Sequence, residues 1–147
     1  MGFLKSLLGI NSSTHEKITL TDQDLGVFTA LNNTANKIIW KGSADFLTGK
    51  IDLFLHGSKE ALDPDQKDRM ITLLENKVVV GSQVDKTLRE QYENADKDYS
   101  SLEKHFSYIS ISAGSHEMNI SLEERDSLYH FNVHLVNNEV MDVSIDS

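Results

Sequence analysis

A chain of 147 residues, 39% hydrophobic and 25% charged, has the size and composition of one globular domain. It contains no cysteine, which excludes a disulfide scaffold, a thiolate nucleophile and Cys-ligated zinc or iron–sulfur centres. Its 14 basic against 23 acidic residues give a net charge of -9, so the clustered Lys and Arg that grip a nucleic acid are not expected.

In chain order, Phe3, Leu4, Leu7 and Leu8 fall on one face of a helix. This predicts an N-terminal amphipathic helix over 1–12, ahead of a single α+β domain over 13–147. The stripe would dock on the domain, on a second subunit of a homodimer, or on a membrane surface. Gly2 and Ser6 also fit the short pattern for N-myristoylation. The stretch is too short for a secretory h-region. Runs such as Val78-Val79-Val80 fall far short of the roughly 20 apolar residues of a membrane span. A cytoplasmic location is expected.

Between Asp24 and Gly57 the apolar period is 2. Val27, Thr29 and Leu31 alternate with Phe28 and Ala30; Ile38-Ile39-Trp40 and Ile51, Leu53, Leu55 follow. Three strands in a meander are predicted, with Asp22-Gln23-Asp24 before Gly26 read as a turn. Asp63 then offers an N-cap, Pro64 a first helical residue and Gln66 a capping-box partner. Met70, Ile71, Leu74 and Val78 give the first helix its stripe, and Val79 to Gly81 are expected to end it. Ser82 would cap a second helix with the stripe Val84, Leu88, Tyr92, Ala95. Ser100 with Glu103 marks a further short turn before Phe106. Four strands close the chain, built on Ile109/Ile111/Ala113, Met118/Ile120/Leu122, Phe131/Val133/Leu135 and Val140–Ile145, with Asn137-Asn138 as a hairpin turn. The predicted fold is α+β in the order β-β-β-α-α-β-β-β-β. It has a mostly antiparallel sheet with the helices packed on one face.

No catalytic constellation emerges. His130 and His134 share a strand face but lie about 13 Å apart at ~3.3 Å per residue, too far to ligate one ion. Asp63, Asp65 and Asp68 lack the Gly and Glu positions of a calcium loop. No phosphate-binding, nucleophile-elbow or dinucleotide motif occurs. No metal, no cofactor and no catalytic residue are therefore assigned. Trp40 shares parity with Ile38 and is expected in the core; exposed, it would be a binding anchor.

The charge is uneven. Residues 1–60 hold six basic and six acidic side chains, whereas from His105 onward one basic residue, Arg125, faces seven acids. The predicted partner-binding set is Glu117, Glu123, Glu124, Asp126, Glu139 and Asp142 on the C-terminal sheet, with Trp40. Such a surface would steer a basic partner.

The segments Ile39-Trp40-Lys41-Gly42, Gly49-Lys50-Ile51-Asp52-Leu53-Phe54-Leu55, the helical pair and Tyr129-His130-Phe131-Asn132-Val133-His134-Leu135 give a layout. It resembles small uncharacterised bacterial α+β domains with a W-x-G strand, a G-x-I-x-L-x-L strand, two helices and a C-terminal meander. Some are encoded beside polymorphic toxins and are regarded as immunity proteins. The resemblance spans about 25–145 and implies an immunity-type role; with the acidic C-terminal sheet, the expected function is a non-enzymatic immunity or adaptor protein that neutralises a basic partner such as a toxin. That layout has a Gly-His pair in the penultimate strand, where this chain has Phe131-Asn132, and no catalytic residue carries over. Two other readings stand beside it. One is a small-ligand protein or enzyme with a pocket between sheet and helices. The other is a peripheral membrane protein held by residues 1–10.

Overall fold

Two four-stranded meanders are joined edge to edge by a helical crossover. The computed structural model describes residues 17–34 and 36–147, so the helix predicted over 1–12 lies outside the described residues. The first meander comprises β1 (Thr19–Asp22), β2 (Gly26–Ala30), β3 (Ile38–Phe46) and β4 (Gly49–Gly57). The crossover carries α1 (Pro64–Glu75), α2 (Lys77–Asn94) and the one-turn α3 (Leu102–His105). The second meander comprises β5 (Phe106–Ala113), β6 (Met118–Glu124), β7 (His130–Val136) and β8 (Glu139–Asp146). All eight strands form one sheet in sequence order. Every pairing is antiparallel except β4 with β5, where Asp52, Leu53 and Phe54 pair with Ser110, Ile111 and Ser112. A parallel pair needs a long crossover, and the helices supply it.

The α+β class and the mostly antiparallel sheet agree with expectation. The strand count does not. Thr19–Asp22 pairs with Gly26–Ala30, which makes eight strands among the described residues rather than seven. The Asp22-to-Gly26 turn is where the sequence puts it. Asp22 Oδ2 accepts from the backbone N–H of Asp24 and of Leu25, each at 3.0 Å. Lys67 of α1 then bridges Asp22 at 3.0 Å and Asp24 at 2.9 Å, tying the edge hairpin to the helix.

Helix α1 starts as predicted. Asp63 Oδ1 accepts from the N–H of Asp65 and of Gln66, each at 3.0 Å. Gln66 does not close a capping box. It is buried, and its Oε1 accepts the His56 N–H of β4 at 2.8 Å. We expect Asp63→Ala to cost about 1 kcal/mol, read as a lower urea midpoint with unchanged slope.

The break between the first two helices falls at Asn76, not at Val79 to Gly81. The Asn76 Nδ2 donates to the Thr72 carbonyl at 2.7 Å, and its backbone leaves the helical region (φ -107, ψ 24). Asn side chains compete for backbone partners in this way. The shift rotates the buried stripe. Leu73 and Val80 are buried, whereas Val78 and Val79 are exposed.

One apolar cluster unites both meanders with the helices. Ile38, Trp40, Leu53, Leu55, Ile111, Ile120 and Val133 alternate inward to meet Met70, Leu73, Val84 and Leu88. Gly42 also faces inward, because the Phe28 ring occupies the space a Cβ would need, 2.5 Å from its nearest carbon. Two bulges alter parity. The β5–β6 register slips between Tyr108 and Ser110, so Tyr108 lies opposite Leu122 rather than with the outward Ser110 and Ser112. The β7–β8 register slips between His134 and Leu135, so Val140 and Val143 both turn toward the core.

Candidate functional site

The inward alternation leaves the opposite, outer face of the sheet polar. Register aligns its side chains into rows that cross the strands. One row runs Ser110, Ser121, Asn132, Ser144; the next runs Ser112, Asn119, His134, Asp142. A third brings Glu123, His130 and Asp146 together. The rows are laced by hydrogen bonds. Ser121 Oγ donates to Asn132 Oδ1 at 3.0 Å, and Asn132 Nδ2 donates to Asp146 Oδ2 at 2.8 Å. His134 Nε2 lies 3.1 Å from Ser144 Oγ and 4.0 Å from Asp142 Oδ1, and His130 Nε2 lies 3.6 Å from Glu123 Oε2. Strands β6, β7 and β8 contain no Lys or Arg. Their outer face therefore carries the carboxylates Glu123, Asp142 and Asp146 without a permanent cation among them.

The seven residues singled out from sequence do not form one surface. Glu123 and Asp142 lie on the outer face, each beside a histidine. Glu117 and Glu139 lie at one end of the meander, beside the turn of Asn137 and Asn138, whose φ values are 53° and 63°. Asp126 lies at the other end, in the β6–β7 turn. Trp40 is fully buried, and its Nε1–H donates to the Ser58 carbonyl at 2.9 Å. A surface anchor there is ruled out, because Trp40 alternates inward with Ile38.

Glu124 is likewise withdrawn from the surface. It is 7% exposed, accepts the Tyr92 hydroxyl of α2 and accepts Ser127 Oγ at 2.6 Å. Burial alone would raise its carboxyl, but the bonds from Ser127 and Tyr92, with Lys97 and His105 nearby, outweigh that and hold it below its ordinary range. Burial, then the contact with Glu124, pushes the Tyr92 hydroxyl well above its usual value, so it stays a donor. The assignment by charge fails here because Glu124, two residues after Leu122, shares its parity and lies on the inward side. Glu124 is a latch that joins α2 to the β6–β7 turn.

A second feature lies at the junction of α2, α3 and the β3–β4 turn. A cavity of about 450 Å³ is lined there by Leu47, Val78, Ser82, Asp85, Arg89 and Tyr108, among others. That volume is in the range of small-ligand sites. Leu47 is held at φ 54, a conformation that costs a branched residue on the order of 1–3 kcal/mol. Its side chain lies over Gly81 of α2, where a Cβ would come within 2.5 Å of Leu47 Cδ1. The two-residue loop between the paired Phe46 and Gly49 calls for the positive φ at Leu47, and the mid-helix glycine at 81 leaves space for the Leu47 side chain.

Asp85 is oriented by two neighbours. Tyr99 Oη donates to its Oδ1 at 2.7 Å, and Arg89 Nη2 lies 3.7 Å from its Oδ2. Arg89 also stacks over the Tyr99 ring, 4.7 Å from its centroid. Burial, then Asp85 and Glu103, pushes the Tyr108 hydroxyl well above its usual range. The sequence signals this cluster weakly. Its only signals were the Asp85/Arg89 spacing of four on one helix and the glycine at 81.

No match was found to any family model, characterised protein or solved structure. Fold-level analogy therefore contributes nothing, and the site has to be read from its chemistry. Among the described residues, no group of three His, Asp or Glu side chains converges as a metal site, and no helix is long and apolar enough to cross a membrane.

Proposed function

We propose that this chain is a non-enzymatic, cytoplasmic protein-binding domain that sequesters a basic partner, in the manner of an immunity protein. The observation that carries the reading is the outer face of β6–β8, with Glu123, Asp142 and Asp146 in a hydrogen-bonded polar lattice and no Lys or Arg on those strands. A lattice whose side chains hold one another loses less rotamer freedom when a partner docks. Carboxylates at its rim accelerate encounter with a cationic protein and set the salt dependence. The neutralising step would be occlusion: the sheet covers the partner's working surface without chemistry.

Charge reversal tests it. A decalysine peptide, taken as the simplest basic partner, should bind the wild type in a salt-sensitive manner. The double variant Glu123→Lys/Asp142→Lys should bind roughly 10-fold or more weakly, about 1.4 kcal/mol. Glu60→Lys, outside the sheet, should bind like the wild type. Equal binding by all three would refute the outer face as the docking surface.

A further inference from the structure

We infer that the cavity between α2, α3 and the β3–β4 turn is a second, separate binding site, and that it takes an organic cation with an apolar body. Leu47 and Val78 give it an apolar wall, and the Tyr108 ring a third apolar surface. Its polar groups are unequal in charge. Among the described residues, Asp85 and Glu103 supply two carboxylates, and Arg89 the one cation. Arg89 is already engaged by Asp85 and the Tyr99 ring, whereas the Glu103 carboxylate has no ion-pair or hydrogen-bond partner among the described residues. Both carboxylates line the same cavity as Tyr108. An ammonium or guanidinium group there would meet Glu103 directly, Asp85 on its far side and the Tyr108 oxygen as an acceptor. Its hydrocarbon part would lie on Leu47.

The Leu47 side chain packs on Gly81, which brings the β3–β4 turn against α2, and both residues line the cavity. A neighbouring cavity of about 320 Å³ shares Thr48, Glu103 and Tyr108 with it, and the Lys50 and Arg125 that line that neighbour would repel a second cationic group.

The cation could be a free amine or the basic side chain of a protein, and two probes separate these. Phenethylammonium and the capped dipeptide acetyl-Phe-Lys-amide would be titrated into the full chain by heteronuclear NMR, with 3-phenylpropionate as the anionic counterpart. Both cations should move the amide signals around Gly81, Asp85 and Tyr108, with affinity on the order of 0.1–1 mM, and the anion should not. Tighter binding of the dipeptide by about 10-fold identifies a protein side chain as the source; equal binding identifies free amines. Glu103→Gln, which removes an unpaired surface carboxylate, should weaken both by about 5- to 10-fold. Ser82→Trp, which fills the cavity from an exposed position, should abolish both, and Glu60→Gln should change neither. Binding of the anion as strong as the cations, no shifts at these residues, or indifference to both Glu103→Gln and Ser82→Trp would overturn the assignment. The site is separate from the outer sheet face, so either can fail alone.

Discussion

Replacing Trp40 with Ala is expected to lower the unfolding free energy by about 3–5 kcal/mol. For a domain whose whole stability is ~5–15 kcal/mol, that is enough to leave a large unfolded fraction at 37 °C. Three consequences add. The largest fully buried side chain is removed from the cluster that joins the two meanders. A cavity forms under β3, between Leu55 and the loop that follows β4. The Ser58 carbonyl loses the indole donor that fixes that loop. Trp40→Phe keeps most of the volume and should cost much less. Denaturant unfolding of both variants checks the claim. A surface anchor would give the opposite pattern, with Trp40→Ala nearly neutral for stability.

The second large effect is at Glu124. Glu124→Ala should cost about 1.5–3 kcal/mol, the range for hydrogen bonds to a charged group, because Tyr92 and Ser127 both lose their acceptor. The pH dependence has a definite sign. The folded-state carboxyl is held below its ordinary value of 4.5, so its stabilising contribution is present above that pH. The contribution is lost as pH falls through the lower folded value. Asp22 is shifted the same way, with burial opposing and the bonds from Lys67, Leu25 and Asp24 prevailing. The wild type should therefore lose stability below about pH 4.5, and Glu124→Gln should lose less over the same interval. Melting temperatures of both proteins between pH 3 and pH 7 would show it. Parallel curves would mean that Glu124 is not held as the hydrogen bonds imply.

Period-2 alternation made the inward residues of β3, β4, β6 and β7 legible, because each is paired on both sides and packs one face on the core. Asp63-Pro64 located the start of α1 from local capping chemistry alone. Three features were hidden for identifiable reasons. Thr19–Asp22 is four residues long at a sheet edge, too short to display a period. The helix break at Asn76 depends on one side-chain hydrogen bond, which competes with an apolar run that looks continuous through Val80. The bulge at Ile109 inverts parity midway along β5, and no composition signal announces an extra residue. Glu124 is the instructive case. Its charge assigned it to the surface, whereas its position after Leu122 on an inward-facing row assigned it to the core. The row prevailed because Tyr92 and Ser127 were there to satisfy it. The cavity at Asp85 is assembled from two helices and a turn, so no single segment encodes it.

The central claim is that the outer face of β6–β8 receives a basic partner. The most direct measurement is a residue-resolved NMR titration of the full chain with decalysine at low and moderate salt. The amides of Ser121, Glu123, Asn132, His134, Asp142 and Ser144 should move together, the shifts should shrink with added salt, and Glu123→Lys/Asp142→Lys should erase them. Shifts spread evenly over the 23 acidic positions, or confined to the helices, would contradict it.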